Sequence, residues 1–341
     1  MQISLAQITP IWLNKAATLE KVTSYVDQAA DEGSRLVVFG EAILPGYPYW
    51  LDATRASKFN DERQKELYAH YLREAIVLTD NSEEVRRSAS LLNSDYQSSK
   101  AGGEAKVAVS DLAGLCALAK RRSIAIVLGC IERALDRGGH SCYCSLVYID
   151  GNGSIQNVHR KLQPTYEERL CWAPGDGHGL RTFPLHGFQF GALNCWENWM
   201  PLPRAALYGQ GENLHLALWP GCKRNTEILT RFLAREGRSY CVSVSGLMRR
   251  SDVPKEIPHY EHIIEHFPDS PSDGGSCVAN PDGSWLLEPQ VGEEGLYTVE
   301  LELEYVQRER QNFDPAGHYS RPDVTKLTVD RRRQSTVEYL D

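Results

Sequence analysis

The stretch FGALNCWENWMPLPRAALYGQG, residues 190–211, decides how this chain is read. It opens as an apolar run that suits a buried strand and stops at Cys195. Pro201 follows shortly after, and proline suits the first turn of a helix. Between a strand that ends and a helix that begins, unpaired backbone N–H groups and the helix dipole favour a thiolate. One of nine cysteines is thus placed where sulfur chemistry is helped. The others read as small core residues, kept as thiols in a reducing compartment.

Working outward, strands and helices alternate. ISLAQITP (3–10) reads as a strand, and Leu19, Val22, Val26 and Ala29 after it are spaced for one helix face that ends at Gly33. RLVVFGE (35–41) has the apolar run of a buried strand. SDLAGLCALAKRRS (110–123) is helical and runs into IAIVLGCIE (124–132). SLVYID and SIQNVHRK flank a Gly-rich turn, and GGSCVANPDGSWLLEP (274–289) is a hairpin around Pro-Asp-Gly. LHLALWPG, TEILTRFLAREGRS and YCVSVSGL continue as strand, helix, strand. The pattern predicts an α/β sandwich with mixed sheets. Residues 80–106 are polar and predict an exposed helix and loop.

Two further strand ends carry chemistry. Glu41 closes LVVFG, where a carboxylate is costly unless solvated or paired. Lys161 closes SIQNVHR, and Glu168 follows in KLQPTYEERLCW. Taken singly, Glu41 and Lys161 each read more readily as surface residues. Together they supply a base, a cation and a thiol, the equipment for acyl-type chemistry at carbon.

The composition limits the alternatives. The 341 residues are 42% hydrophobic and 24% charged, the balance of a soluble globular protein. A formal net charge of -8 argues against a nucleic-acid partner. No 18-residue apolar run and no basic-then-apolar start is present, so the expectation is a cytoplasmic protein with no membrane partner. His259, His262 and His266 in HYEHIIEH would share a face on a helix and read as a surface segment more readily than as a metal site. Cys142 and Cys144 in SCYCS point the same way on a strand and read as core or pocket lining.

With these pieces in place, the sequence resembles the nitrilase branch of the carbon–nitrogen hydrolase superfamily. The resemblance rests on VVFGEAILPGYPYW (37–50), HRKLQPTYEERLCWAPGDG (159–177) and ALNCWENWMPLPRAALYGQGENLHLALWPG (192–221). Supporting pieces are FLAREGRSYCVSVSGLMR (232–249), GGSCVANPDGSWLLEP (274–289) and DPAGHYSRPDV (314–324). It implies one αββα sandwich over 1–329, followed by a polar tail over 330–341, and pairing of two copies to αββααββα in a homodimer or larger spiral. It implies Glu41 as general base, Lys161 as the cation, Cys195 as nucleophile, and Glu168 holding Lys161 and placing water. The Trp196 backbone N–H would complete the stabilising site. Tyr47, Trp50, Trp196 and Trp199 are the expected substrate-binding residues. No metal or organic cofactor is implied; a small nitrile and water are the expected partners. Tyr143-Cys144-Ser145 departs from the Tyr-Asn-Thr of many nitrilases, which bears on substrate preference. The same triad also serves amide hydrolysis, cyanide hydration and cyanide dihydration, and a silent scaffold or a redox-sensing thiol protein are the readings from other classes.

Overall fold

The computed structural model describes residues 1–78, 110–335 and 337, so the helix and loop expected over 80–106 lie outside the described residues. Two mixed sheets stack face to face. The first comprises β1 (Gln2–Gln7), β2 (Leu36–Phe39), β3 (Ala125–Arg133), β4 (Cys142–Ile149) and β5 (Ile155–Arg160) in that order, with β13 (Gly295–Glu300) on the outer side of β1. The second comprises β6 (Phe183–Leu185), β7 (Phe188–Asn194), β8 (Leu214–Trp219), β9 (Tyr240–Ser245), β10 (Leu247–Met248), β11 (Ser272–Ala279) and β12 (Trp285–Val291). The helices are α1 (Lys15–Asp31), α2 (Trp50–Ala53), α3 (Glu62–Glu74), α4 (Ala113–Arg122), α5 (Pro201–Tyr208), α6 (Lys223–Gly237), α7 (Tyr260–His266) and α8 (Leu303–Glu309).

Strand periodicity explains the layering. Side chains alternate between faces. Leu36, Val38 and Val127 therefore point inward, against Leu214, Leu216, Leu218 and Val242 of the second sheet. Their neighbours Val37, Phe39, Ile126 and Leu128 point outward, under Val22 and Val26 of α1 and Leu115 and Ala119 of α4. On the other side Leu229, Leu233 and Ala234 of α6 cover Ala217, Cys241 and Ala279. Leu207 of α5 covers Leu193. The result is the four-layer αββα sandwich. Among the described residues, no helix is long and apolar enough to cross a membrane. All nine cysteines lie among the described residues and are free.

Strand direction sets where the ends meet. β2 and β3 are parallel, β4 reverses and β5 reverses again, so β2 and β5 run the same way. Their carboxyl ends therefore leave the first sheet at one edge of the sandwich. β7, β8 and β9 are mutually parallel. The two sheets approach closely at this edge. A Cβ on Gly40 would lie 2.7 Å from the Trp219 carbonyl oxygen of the second sheet, and within the first sheet one on Gly129 would lie 2.1 Å from the Gly40 carbonyl oxygen. Only glycine fits such contacts.

The described end of the chain is held down rather than free. Arg333 donates to Asp176 Oδ1 at 2.9 Å and to the Val158 carbonyl at 3.0 Å, and the Gln334 N–H donates to Asp176 Oδ2 at 3.0 Å. The Arg-Arg-Arg run thus divides: Arg332 pairs locally with Asp330, while Arg333 tethers the segment to the turn after β5.

Candidate active site

Lys161 and Cys195 directly follow the last residues of β5 and β7, and Glu41 follows Gly40 just past the end of β2. The Glu41 N–H donates to the Trp219 carbonyl at 3.0 Å, which ties the end of β2 to the end of β8 in the opposite sheet. The Lys161 N–H donates to the Cys144 carbonyl at 2.7 Å, and the Lys161 carbonyl accepts from Gly175 N at 2.7 Å. Glu168 arrives from the 3-10 turn Tyr166–Leu170. All four side chains are buried, Cys195 at 5% exposure and the others at 1%.

Their polar atoms converge. Lys161 Nζ donates to Glu41 Oε1 at 3.0 Å and to Glu168 Oε2 at 2.8 Å. Thr165 N–H donates to the same Glu168 oxygen at 2.6 Å, and the Tyr47 hydroxyl donates to Glu168 Oε1 at 2.9 Å. Both Glu168 oxygens are thereby engaged, Oε2 twice and Oε1 once. Glu41 Oε2 is buried with no hydrogen-bond partner among the described residues. The ligand atoms of Glu41, Glu168 and Cys195 lie within 4.8 Å of one another. A free carboxylate oxygen beside a thiol is what a base for that thiol requires. A metal would compete for these same three groups, but the Lys161 ammonium already supplies the positive charge between the two carboxylates.

Electrostatics sharpen the roles. Burial pushes Glu41 up to about 8; Lys161 opposes this, and Glu168 and Glu197 add to it. Burial alone would lower Lys161, but Glu41, Cys195 and Glu168 outweigh it and hold the ammonium firmly charged. Burial also pushes the Cys195 thiol well up, with Lys161 opposing and Glu41 and Glu168 reinforcing. This corrects the thiolate expected from the adjoining helix. A 3-10 turn over Cys195–Trp199 intervenes, the α-helix opens only at Pro201, and two carboxylates face the sulfur. The resting group is a thiol, and its proton must be taken as it attacks. The neighbouring Trp196 N–H favours the ionised form of the sulfur.

The expected aromatic residues occupy different places. Tyr47 joins Glu41, Ala42, Tyr49, Pro220 and Leu247 around a narrow cavity of about 10 Å³. Trp50 is buried behind it, edge-on to Tyr71 in the cluster that also holds Tyr49. Trp196 and Trp199 turn outward and are 50% and 48% exposed. Cys144 is fully buried and feels the charges of Glu41, Lys161 and Glu168; Ser145 donates to Glu132 Oε2 at 2.7 Å. His259 precedes α7 and pairs with Glu66 at 2.7 Å, so it leaves the helical face shared by His262 and His266. His262, Glu265 and His266 bring ligand atoms within 4.8 Å of one another, on α7 rather than in the cluster of strand ends.

Sequence reasoning missed Glu197. Its fully buried carboxylate accepts from Leu162 N–H at 2.6 Å, Asn194 N–H at 2.9 Å and His159 Nε2 at 3.1 Å. It bridges the end of β5 to the end of β7, and so sets Lys161 against Cys195 across the two sheets. Burial would raise Glu197, but His159 and the two N–H donors outweigh it and hold the group ionised. The available signal was the Asn194-x-x-Glu197 spacing of a capping box at a strand end.

Fold and site together define a hydrolase with a buried thiol, base and ammonium. A family model described as carbon-nitrogen hydrolase matches residues 2–311, and the chain belongs to that family of enzymes acting on carbon–nitrogen bonds. It is 31% identical to "Nitrilase 2" of an unknown prokaryotic organism, covering 99% of this chain and 95% of that one. It is likewise 31% identical to an aliphatic nitrilase of Sinorhizobium fredii (strain HH103), covering 98% and 97%. A bifunctional nitrilase/nitrile hydratase of Oryza sativa subsp. japonica is 30% identical over 99% of this chain and 86% of its own. The solved structure of an amidase from Nesterenkonia sp. shares the fold, with TM-score 0.59 and 19% identity over 92% of this chain and 94% of that one.

Proposed function

We propose that the protein is a nitrilase that hydrolyses organic nitriles to carboxylic acid and ammonia. The observation that carries this is Lys161 Nζ bonded to both Glu41 and Glu168, beside a buried thiol and an unpartnered Glu41 oxygen. Relatives named nitrilase, matched over nearly the whole chain, support it.

Cys195 is the nucleophile and Glu41 the base. The thiol proton passes to Glu41 as sulfur bonds to the nitrile carbon. Charge develops on the nitrile nitrogen, where Lys161 and the Trp196 N–H stabilise it, and Glu41 passes the thiol proton on to that nitrogen, giving a thioimidate and a Glu41 carboxylate again. A water, deprotonated by Glu41 and oriented by Glu168, adds to the same carbon. Protonated nitrogen leaves as ammonia and an acyl-thioester remains. A second water cleaves the thioester, releasing the acid and returning the thiol. Expulsion of the thiol before ammonia would release an amide instead, the branch that suits the bifunctional relative's name. Tyr47 lines the substrate's path, Trp50 backs it, and Trp196 and Trp199 flank its mouth. Two sandwiches pair through α5 and α6, whose exposed Leu202, Ile228 and Phe232 such pairing would cover. Nine free cysteines suit work in the cytoplasm.

The test is a panel of benzonitrile, phenylacetonitrile, an aliphatic dinitrile, cyanide and the matching amides, with ammonia and products followed against a Cys195→Ala control. Acid from organic nitriles, absent in the control, is the expected result. Turnover of amides alone or cyanide alone would replace the proposed activity while keeping the triad.

A further inference from the structure

Behind the nucleophile lies a second buried polar chain that the mechanism above does not use. Asn198 Nδ2 donates to the Cys195 carbonyl at 2.8 Å and to the Leu193 carbonyl at 3.3 Å. With its NH2 committed to two carbonyls, the Asn198 amide must present its oxygen to His215. Oδ1 lies 2.7 Å from His215 Nε2, and His215 Nδ1 lies 2.9 Å from Glu212 Oε1. Asn198 and Glu212 are fully buried and His215 is nearly so. Glu212 is seated against bare backbone: a Cβ on Gly191 would lie 2.3 Å from its Oε1. The Asn198 carbonyl is held in turn by Arg204 at 2.8 Å.

What this chain grips is one peptide plane. Cys195 has φ 43°, in the left-handed region that a non-glycine residue occupies only under strain. Something must hold it there. The Cys195 carbonyl and the Trp196 N–H belong to the same planar amide and point in opposite directions. Anchoring the oxygen therefore aims the N–H.

We propose that His215, oriented by Glu212, is a positioning residue for the reaction: it locks the Asn198 amide, which locks the Cys195–Trp196 peptide and aims the Trp196 N–H at the charge that develops on substrate. The inference rests on Cys195 as nucleophile and the Trp196 N–H as charge-stabilising donor. It does not depend on nitriles being the substrate.

The test compares His215→Met with His215→Gln. Methionine has similar bulk and no donor; glutamine keeps an N–H for Asn198 Oδ1. Three rates are measured on protein shown by thermal unfolding to be folded. One is Cys195-dependent acyl transfer from p-nitrophenyl acetate, whose tetrahedral oxyanion needs the donor, with Cys195→Ala as blank. The second is nitrile turnover, as kcat and KM. The third is alkylation of Cys195 by iodoacetamide, read by mass spectrometry on its peptide, a displacement that builds no oxyanion. In His215→Met, acyl transfer and kcat fall about 10- to 100-fold, short of the full loss of an oxyanion donor. KM stays within about twofold and alkylation within about threefold, a pattern that general loosening of the site would not give. His215→Gln recovers acyl transfer to within about fivefold of wild type. Unchanged acyl transfer in folded His215→Met, equal losses in both variants, or alkylation falling in parallel would each overturn the proposal. Absence of Cys195-dependent acyl transfer in the wild type would remove its premise. Acyl transfer with the expected pattern but no nitrile turnover would uphold it and overturn the nitrilase reading.

Discussion

Glu41→Gln separates what the base does for chemistry from what it does to the fold. Burial pushes Glu41 up to about 8 from an ordinary 4.5, more than Lys161 can offset. In the unfolded chain the group ionises near its ordinary value. Between the two values the native state keeps a proton that the unfolded state has lost, so stability falls as pH rises. The slope is about 1.4 kcal/mol per pH unit. The contribution is fully present below pH 4.5 and lost by about pH 8. The interval is about 3.5 units, so wild type gives up roughly 5 kcal/mol across it. Glutamine carries no charge and gives up none, and Glu168 remains to pair with Lys161. Thermal unfolding of both proteins at pH 5, 7 and 9 should show the variant's midpoint advancing on wild type as pH rises, while turnover is lost throughout. A midpoint difference that is flat with pH, or that moves against the variant at pH 9, would refute the buried-base reasoning.

Four other outcomes follow from the same geometry. Cys195→Ala should lower turnover by at least about 10⁴-fold with near-native thermal unfolding, since it removes the bond-forming atom and little volume. Lys161→Arg should lose about 10³-fold in kcat, because a planar guanidinium cannot replace a compact ammonium bonded to both Glu41 and Glu168 in a sealed site. The acid limb of kcat/KM against pH should rise to a plateau through about pH 8, because Glu41 must be deprotonated to accept the thiol proton; a limb near pH 4.5 would count against this. Glu197→Leu should lower stability by roughly 3–5 kcal/mol in chemical denaturation, as two N–H groups and His159 lose their buried acceptor.

The triad was legible in sequence because each member closes a strand-like run, apolar before Glu41 and Cys195 and mixed before Lys161, and strand ends are local signals. The sandwich was legible for the same reason: Val37 and Val38 alternate between the helix side and the sheet side with strand period. What could not be read was every contact made between sheets. Glu197 meets His159 and Leu162 only because β5 and β7 end at one edge, a matter of strand direction and sheet stacking rather than of spacing. The resting thiol was hidden likewise, since the helix field was inferred from Pro201 while the two carboxylates facing Cys195 come from distant segments. The Trp50 indole reads as pocket wall from its neighbours Tyr47 and Tyr49, yet the short α2 turns it behind them. Arg332 and Arg333 are like neighbours in the sequence, and only the folded turn at Asp176 separates what they do.

The pairing of β13 with β1 bears on how the chain is made. The register joins Gln2 to Glu300 and Gln7 to Gly295, so β1 stays unpaired on this side until residues 295–300 have been synthesised. Until then β1 has an open edge, a template for pairing with other nascent chains. Contacts of such sequence separation form slowly. The sandwich is therefore completed after most of the chain has been translated. A transcript truncated before residue 295 would leave the triad's segments encoded in full but the first sheet unsealed, a product destined for chaperones or aggregation rather than for partial activity.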